Sequence, residues 1–435
     1  MTRRTTRRSF LAQSGSVLAV PTLGQLQPTL HVAGRDEIKV ALIGCGGRGT
    51  GAANQIMNTK GNTRLIAVAD PFPGNARRAI EGLKKAHPEK VDVPDDRIFG
   101  DLDGYKMAID SGVDLVVIAT PPGFKPQQFE YAVQQGKHVF MEKPVASDAP
   151  GVRRVLAANE MAKQKNLMVA IGLQRRHEER YMDCVKRLKE GAIGDINLLR
   201  VYWNGGGIWY RNREPNMTEM QFQVNNWYHF TWLCGDQICE QHIHNIDVGC
   251  WVKDAFPVEA NGMGGGEQRL SGDRTKSQIF DHTFVEYTFA DGTKMFSQGR
   301  HLGGECYHEV AEYAHGSNGV SNIGSWIEPK GEPRLRIRGA GNGHQQEQHD
   351  MIESLMRGEI YNEGDYGAKS TMTAILGREA CYSGRVLKFD DLLARGRDYC
   401  PGIDTYTLES MPPAMPGEDG KYPVPVPGQY NPFAD

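Results

Sequence analysis

The sequence lacks several features that would define a protein class at once. Its eight cysteines form no CxxC pair and show no zinc-knuckle spacing. Basic and acidic residues nearly cancel, 50 against 53, so the net charge of −3 does not indicate nucleic acid as a partner. No uncharged apolar run reaches the length of about 18 residues that a spanning helix needs. We therefore expect a protein with no membrane span, no nucleic-acid partner and no disulfide framework.

What is present is a chain of 435 residues with an ordinary globular composition. At about 150 residues per domain, this length predicts two to three domains. We place an export segment at 1–34, a nucleotide-binding domain at 35–162, a substrate-binding α/β domain at 163–408 and a proline-rich tail at 409–435. The scattered cysteines are expected to be buried or free thiols.

Residues 1–34 have the pattern of an export signal. Four arginines lie within the first eight residues, no acidic residue occurs before Asp36, and the sequence TRRSFL at 6–11 resembles a twin-arginine signal. A weakly apolar stretch follows, and small residues at 32–34 offer an imperfect cleavage site. The alternative is a basic disordered tail. The pattern predicts export by the twin-arginine route to the periplasm or another extracytoplasmic compartment, a route that carries folded proteins.

A glycine-rich turn begins the folded part. The apolar run KVALI at 39–43 is typical of a buried parallel strand, and it leads directly into GCGGRG at 44–49. In a G-x-G-x-x-G turn the first glycine permits the bend, the second lets a pyrophosphate approach the backbone, and the third lets the helix pack on the strand. The turn residues expected to bind a dinucleotide are Gly44, Gly46, Gly47, Arg48 and Gly49.

A second apolar run, LIAVA at 65–69, ends at Asp70. This acid follows the glycine turn at about the 20-residue spacing expected of a carboxylate that holds a ribose 2′-hydroxyl. The alternative is a glycine-rich turn with an unrelated acid at a strand end. Since a carboxylate repels a 2′-phosphate, Asp70 favours NAD over NADP, but Arg77 and Arg78 on the next predicted helix keep NADP open.

Strands and helices continue to alternate after Asp70. The run DLVVIAT at 114–120, a helical stretch at about 125–135 and the run HVFM at 138–141 predict a doubly wound parallel sheet, a Rossmann fold. Ligands of such sheets lie at the carboxyl ends of the strands. The residues at two of these ends are therefore further cofactor candidates: Thr120, Pro121, Pro122, Glu142 and Lys143.

Three separated motifs resemble the Gfo/Idh/MocA oxidoreductase family. They are EKP at 142–144, EQHIHNID at 240–247 and GREACYSG at 377–384, within a resemblance that covers roughly 37–395. The resemblance implies a Rossmann domain followed by an α/β domain with a large, mostly antiparallel sheet whose open face carries the substrate. Glu240 stands where the family commonly has Asp, and His242 where it has Gly. These departures leave the substrate class and the reaction type open.

The catalytic candidates are Lys143, His244 and Glu240. The resemblance implies that Lys143 contacts both cofactor and substrate, where an ammonium stabilises an alkoxide-like oxygen as hydride leaves. His244 is the candidate general acid/base, because an ordinary imidazole pKa of about 6.5 suits proton removal near neutrality. Asp247, on a neighbouring helix face, is placed to cap or orient it. The alternatives are a solvated lysine and a structural histidine.

The alternating pattern of Glu240, His242 and His244 allows a second interpretation. If the segment is extended, all three side chains project from one side and suit a divalent metal, with Asp281 and His282 on a later strand as further ligand candidates. In the other interpretation only Glu240 and His244 face the substrate and His242 shapes the pocket. Because the motif is short and has no evident fourth ligand, no metal is predicted.

An aromatic-rich stretch between 202 and 232 slightly favours a sugar-binding site over aromatic residues that only fill the core, since sugars stack on aromatic faces and hydrogen-bond to amides and guanidinium groups. The aromatic residues are Tyr202, Trp203, Trp209, Tyr210, Trp227, Tyr228 and Trp232, and the interleaved polar residues are Asn204, Arg211, Asn212, Asn225, Asn226 and His229.

Gln174, Arg175 and Arg176 follow a predicted strand. They either face the cofactor domain or lie as charges on the rim of the site.

Together these observations predict an NAD(P)-dependent oxidoreductase that acts on a sugar or polyol hydroxyl and assembles as a homo-oligomer. Two alternatives stay open. One is a carbohydrate lyase or hydrolase that uses tightly bound NAD transiently, oxidising the sugar before bond cleavage and reducing it afterwards. The other is a sugar-binding protein without catalysis, against which the retention of Lys143 and His244 argues.

Overall fold

The computed structural model describes residues 37–266 and 277–433, so the predicted export segment lies outside the described residues. Eleven elements alternate as predicted in the first part of the chain. They are β1 (Ile38–Ile43), α1 (Gly47–Met57), β2 (Thr63–Ala69), α2 (Pro73–Ala86), β3 (Ile98–Phe99), α3 (Gly104–Asp110), β4 (Leu115–Ile118), α4 (Lys125–Gln134), β5 (His138–Met141), α5 (Ala149–Gln164) and β6 (Val169–Ile171).

The six strands form one parallel sheet in the order β3-β2-β1-β4-β5-β6, which confirms the doubly wound fold. The central strands are mostly apolar and almost entirely buried, because helices cover both sides of a parallel sheet; the exception to burial is Lys39 on β1. Strand β6 lies beyond the domain boundary placed at residue 162, so the first sheet extends to Ile171.

The rest of the chain builds a second, nine-stranded sheet with helices on one side. Its elements are α6 (Glu179–Lys189), β7 (Ile196–Gly205), α7 (Glu219–Asn225), α8 (Thr231–Cys234), a π-helical turn (Ile238–His242), α9 (Ile243–Lys253), β8 (Glu259–Gly265), β9 (His282–Thr288), β10 (Lys294–His301), β11 (Glu309–Gly316), β12 (Gly319–Asn322), β13 (Trp326–Pro329), β14 (Leu335–Arg336), α10 (Gly343–Arg357), α11 (Gly364–Ser383), β15 (Leu387–Lys388) and α12 (Phe389–Arg395).

The strand order of this sheet is β14-β13-β12-β11-β7-β10-β9-β8-β15. Its neighbouring strands pair antiparallel except for β7 and β10, which are parallel. Along β9 and β10 the residues alternate strictly: Val285, Tyr287 and Met295 are buried, whereas Phe284 is exposed. One face therefore packs on helices α9 and α11, and the other face is open, as the fold prediction expected.

The end of the chain returns to the first domain. Helix α10 packs on α1, and its Met351, Ile352 and Leu355 join the core beneath β1. Within the part of the tail that the structure describes, Tyr430 donates to the Glu379 carboxylate at 2.7 Å and Tyr422 is buried. Of the helices in the described ranges, none combines the length and apolarity that a bilayer crossing requires.

Candidate active site

A cavity of about 850 Å³ opens at the carboxyl ends of β1, β2, β4 and β5. Pro122 does not line it, because this residue is buried at the start of the short 3₁₀ turn that leads into α4. The structure thus brings almost every sequence-predicted residue to one place. Those that line the cavity are Gly44, Gly46, Gly47, Arg48, Gly49, Asp70, Thr120, Pro121, Glu142, Lys143, Glu240 and His244.

The glycine turn has the shape of a pyrophosphate cradle. Gly44 has a φ of +89°, and a Cβ there would lie 2.7 Å from the carbonyl carbon of Ala119. A Cβ at Gly49 would lie 1.9 Å from the Gly44 oxygen, so the helix packs too closely for any side chain. A Cβ at Gly46 or Gly47 would meet nothing within 4 Å. This open space before the N-terminus of α1 fits an approaching phosphate.

Asp70 stands at the end of β2 as part of this cradle. Its carboxylate accepts hydrogen bonds from the backbone of Cys45 at 2.8 Å and of Phe72 at 2.9 Å, and from the Asn75 amide at 3.1 Å. A carboxylate accepts about four hydrogen bonds, so one position stays available for a ribose hydroxyl. Burial raises the pKa of Asp70, and these three hydrogen bonds act in the opposite direction.

Lys143 is held at the cavity by Glu240. Its ammonium donates to the Glu240 backbone oxygen and lies 3.8 Å from the Glu240 carboxylate. Burial raises the pKa of Glu240, while the charges of Lys143 and Lys125 lower it. The two predicted catalytic residues therefore form a buried pair, in which the carboxylate and carbonyl fix the ammonium at the end of β5.

Lys125 is a residue that sequence reasoning missed. Its ammonium is 2% exposed and donates to three successive backbone oxygens, of Glu142 at 2.7 Å, Lys143 at 3.2 Å and Pro144 at 2.9 Å. Burial lowers the pKa of Lys125 to about 8. A signal was available: a lysine in the first turn of a helix opposes the helix dipole, so its position at the start of α4 requires another reason.

His244 lies on the first turn of α9, beside the cavity, with its ring stacked on Trp203 at a centroid distance of 6.1 Å. Its Nδ1 is buried with no hydrogen-bond partner among the described residues. Burial, followed by the charges of Lys143 and Arg175, holds the pKa of His244 well below its ordinary value. The ordinary pKa that the sequence analysis assumed is therefore replaced by a lower one, which favours the neutral imidazole near pH 7.

The extended arrangement that the metal interpretation required is wrong, because residues 238–253 are helical. His242 is fully buried, and its Nε2 lies 2.6 Å from Ser297 Oγ on β10. Burial lowers the pKa of His242 to about 3. His242 therefore faces the core and Glu240 and His244 face the cavity, so the three side chains do not converge. His282 pairs with Asp281 on β9 at 2.7 Å.

Asp247 does not orient His244. Its carboxylate accepts two hydrogen bonds from Arg176, at 2.9 and 2.8 Å, and one from Ser370 at 2.6 Å. Arg175 pairs in the same region with the buried Glu312. Neither arginine lines the cavity, so both are internal ion-pair partners rather than rim charges or cofactor contacts.

The aromatic stretch divides into two groups. Trp232 is 1% exposed, and its Nε1 donates to Gln223 at 2.8 Å, so it belongs to the core. Trp209, Trp227 and Tyr228 line the cavity together with Arg211, whose guanidinium carbon lies 4.6 Å from the Trp209 ring centroid. Three aromatic surfaces and one guanidinium group therefore flank the space beside Lys143 and His244.

The cavity is not on the open face of the second sheet, where the family resemblance led us to expect the substrate. No strand of that sheet contributes a lining residue; the second domain contributes the loop after β7, helix α7, the two short helical turns and the starts of α9 and α10. Helices α9 and α11 cover the inner face of the sheet. The cavity forms where the segments that connect these helices and strands meet the first domain.

Comparison with known proteins relates the first part of the chain to a protein family. Residues 38–173 match the sequence profile of GFO_IDH_MocA, an oxidoreductase family with an NAD-binding Rossmann fold. The match confirms the family resemblance over the first domain and confirms NAD as the class of cofactor that this domain takes.

Two curated relatives are inositol dehydrogenases. The scyllo-inositol 2-dehydrogenase (NAD(+)) of Bacillus subtilis is 26% identical over 230 residues, 52% of this chain and 57% of the relative. Inositol 2-dehydrogenase 4 of Saccharopolyspora erythraea is 30% identical over 208 residues, 46% of this chain and 55% of the relative. The chain thus matches a little over half the length of these relatives.

The overall fold resembles that of a solved structure, scyllo-inositol dehydrogenase from Lactobacillus casei with bound NAD(H) and scyllo-inositol. The TM-score is 0.62 at 20% identity, covering 81% of this chain and 99% of that one. This similarity extends the shared architecture through the second sheet, beyond the region that the family profile matches.

Proposed function

We propose that this chain, whose residues 38–173 are the NAD-binding Rossmann domain of the Gfo/Idh/MocA oxidoreductase family, transfers hydride between a nicotinamide cofactor and a hydroxyl-bearing carbon of a sugar or polyol. The observation that carries the proposal is the convergence of Lys143 and His244 on the cavity that the glycine turn and Asp70 also line. A cofactor cradle and a proton acceptor at one cavity are what alcohol oxidation requires.

The residues divide the chemistry between them. Bound NAD supplies a hydride acceptor at nicotinamide C4. The Lys143 ammonium, fixed by Glu240, hydrogen-bonds the substrate oxygen and stabilises negative charge there as the C–H bond breaks. The neutral imidazole of His244, which lines the cavity, accepts the hydroxyl proton, so that the alcohol carbon becomes a carbonyl. In the reverse direction the imidazolium returns this proton.

The substrate class rests on the lining beside these two residues. Trp209, Trp227 and Tyr228 offer apolar faces, and Arg211 offers hydrogen-bond donors. Carbon-bound hydrogens of a cyclic polyol stack on aromatic rings, and its hydroxyls bind a guanidinium group. The names of the curated relatives, inositol dehydrogenases, are consistent with this chemistry.

The test is an assay of the purified chain with NAD and a panel of inositols, aldoses and glycosides, following NADH absorbance and product masses together. We expect net NADH with a product lighter by two hydrogens for at least one panel member. His244→Ala should lower kcat by about 100-fold or more with the NAD affinity nearly unchanged. The exposed His308 provides a matched control, and His308→Ala should keep wild-type turnover. Cleavage of a glycoside without net NADH would instead favour the lyase alternative.

We also propose that the chain is exported by the twin-arginine route to an extracytoplasmic compartment, which the TRRSFL sequence at 6–11 supports. Replacing Arg7 and Arg8 with lysine keeps the charge but removes the receptor-read pair. The double variant should stay in the cytoplasm on cell fractionation. Equal export of the variant and the wild type would contradict the assignment.

We propose that the protein assembles as a homo-oligomer. The apolar side chains exposed on the open face of the second sheet support this proposal. Phe284 and Met263, paired neighbours on β9 and β8, are 41% and 72% exposed on this face. Exposed apolar groups on one face are typical of an interaction surface. Light scattering should give a multiple of the 48.3 kDa chain mass, and a monomer at micromolar concentration would contradict this proposal.

A further inference from the structure

Three metal-ligating side chains meet at the edge of the cavity where α10 approaches β5. Glu142 follows β5, while His344 and Glu347 lie three residues apart on the first turn of α10 and so share one face of that helix. One ligand atom of each residue lies within 4.8 Å of the others. Among residues 37–266 and 277–433, this is the cluster of three histidine, cysteine or carboxylate side chains that lie close enough to share a metal ion. The sequence patterns did not indicate it.

The carboxylates of this group are buried without enough partners. Glu347 is 1% exposed, and its Oε2 has no hydrogen-bond partner in the described structure. Glu142 is 3% exposed, and its carboxylate is engaged by the Arg48 guanidinium, with Oε1 2.7 Å from Nε. His344 Nδ1 lies 3.5 Å from Glu347 Oε1. Two carboxylates face one guanidinium, and an unpaired buried charge costs several kcal/mol.

We propose that Glu142, His344 and Glu347 bind a divalent cation of the Mn²⁺ or Zn²⁺ class. Two carboxylates with one imidazole form a donor set that suits these ions, whereas a set of oxygens alone would favour Mg²⁺ or Ca²⁺. With metal–ligand bonds of about 2.1 Å, tetrahedral ligand atoms lie about 3.4 Å apart. The observed spread, within 4.8 Å, requires a small inward movement of the side chains.

The position of the group gives the ion a function. Glu142 and His344 both line the cavity, whereas Glu347 lies behind them in the core, so the open coordination position faces the cavity. Three protein ligands with one open position are the arrangement of catalytic rather than structural sites. This open position binds an oxygen atom, and a hydroxyl group of a polyol beside Lys143 supplies it.

The charges are compatible with this assignment. When both carboxylates are ionised, as metal ligands are, their two negative charges and the positive charge of Arg48 leave a net charge of −1 before the ion is counted. A divalent ion changes this to +1 at a place next to the glycine turn, where a dinucleotide brings two negative phosphate charges. The guanidinium need not leave, because each carboxylate has a second oxygen.

Metal binding can be measured without any activity assay. The full chain is stripped with a chelator and passed through gel filtration after separate incubations with Mn²⁺ and Zn²⁺. We expect about one bound ion per chain by mass spectrometry, and an electron paramagnetic resonance signal of bound Mn²⁺. Glu347→Gln and His344→Ala should each weaken metal binding at least tenfold, with the circular dichroism spectrum unchanged.

Glu353→Gln is the matched control, because Glu353 lies on the same helix with 48% of its side chain exposed. This variant should bind metal like the wild type. No binding by the wild type, or equal binding by Glu347→Gln and wild type, would overturn the inference. The proposed oxidoreductase function is tested separately: NADH formation without metal binding removes only the metal site, and metal binding without NADH formation removes only the reaction.

Discussion

At the scale of single residues, we expect Asp70 to determine the preference between the two nicotinamide cofactors. Three of its acceptor positions are used to hold the turn, and the remaining one faces the cavity close to Arg78. Since the carboxylate repels a 2′-phosphate and Arg78 attracts one, Asp70→Ala should shift the ratio of NADP to NAD affinity towards NADP by about tenfold or more. Fluorescence titration of both cofactors measures this ratio.

The exposed Asp92 offers a control, and Asp92→Ala should leave the cofactor ratio unchanged. A wild type that already prefers NADP would show that the hydroxyl-holding function of Asp70 is wrong. A difference in stability between the two variants does not affect this measurement, because the ratio compares the affinities of two ligands for the same variant.

Lys125 lines the cavity, and its ammonium also holds the backbone that follows β5. Lys125→Met leaves three buried carbonyl groups, of residues 142–144, without their donor. Each such group costs about 1–3 kcal/mol, and relaxation of the turn recovers part of this, so we expect the free energy of unfolding to fall by about 3 kcal/mol. Urea denaturation measures the change.

Lys137 provides the comparison, because its ammonium donates to one backbone oxygen, that of Val113, at 2.9 Å. Lys137→Met should cost about 1 kcal/mol. If both variants lost the same stability, the three-carbonyl arrangement at residues 142–144 would not be the reason for the buried lysine.

At the scale of elements, the junction of α10, α11 and the 3₁₀ turn at 174–177 depends on one histidine. His177 Nδ1 lies 2.7 Å from Asp350 on α10, and Nε2 lies 3.2 Å from Glu363 at the start of α11. Burial alone would lower the pKa of His177, but these two carboxylates raise it to about 10. The imidazolium therefore connects three separate segments of the chain.

The sign of the pH dependence follows from this raised pKa. The unfolded histidine has an ordinary pKa of about 6.5, so the stabilisation is complete below that pH and disappears as the pH rises through about 10. Between these values the free energy of unfolding should fall by up to about 1.4 kcal/mol per pH unit more in the wild type than in His177→Gln. Denaturation at pH 7 and pH 9 gives the difference, and parallel curves for the two proteins would contradict it.

The fold around 236–244 also explains why the extended interpretation of this segment is wrong. The alternating spacing of Glu240, His242 and His244 is typical of a strand, but the segment is helical. Asp236, with a φ of +76°, starts this helix, and its Oδ2 accepts from the Phe280 backbone at 3.0 Å. Because that partner comes from a distant segment, the local pattern did not reveal the helix.

At the scale of the whole molecule, the proposed export and the proposed redox reaction together predict that NAD stays bound between turnovers. Free dinucleotide is expected to be scarce outside the cytoplasm, so slow dissociation from the glycine turn and Asp70 would keep the protein active. Each cycle would then need a second half-reaction that restores the starting redox state of the cofactor.

Denaturing the protein after gel filtration without added nucleotide, and quantifying the released dinucleotide, tests this retention. We expect close to one NAD per chain. An empty protein that binds NAD weakly and reversibly would contradict retention, and would favour a cytoplasmic location for the same chemistry.

The sequence by itself determined the parallel sheet, the glycine turn and the residues at the strand ends. These features depend on local causes: apolar runs that must be buried on both faces, positions such as Gly44 where a side chain would collide with the backbone, and the common edge to which parallel strands point. For that reason the sequence predicts that Asp70, Glu142 and Lys143 lie at one edge of the sheet, and all three line the cavity there.

Only the tertiary structure decided which side chains surround that edge and in what state. Burial lowers the pKa of His244, which favours its neutral form. His242 and Trp232 lie in the core, whereas Trp209 lies at the cavity. Helix α10 brings His344 and Glu347 against Glu142, although no local pattern connects them. Desolvation and long-range packing depend on segments that are distant along the chain, and these interactions acquire their strength only when the chain is folded.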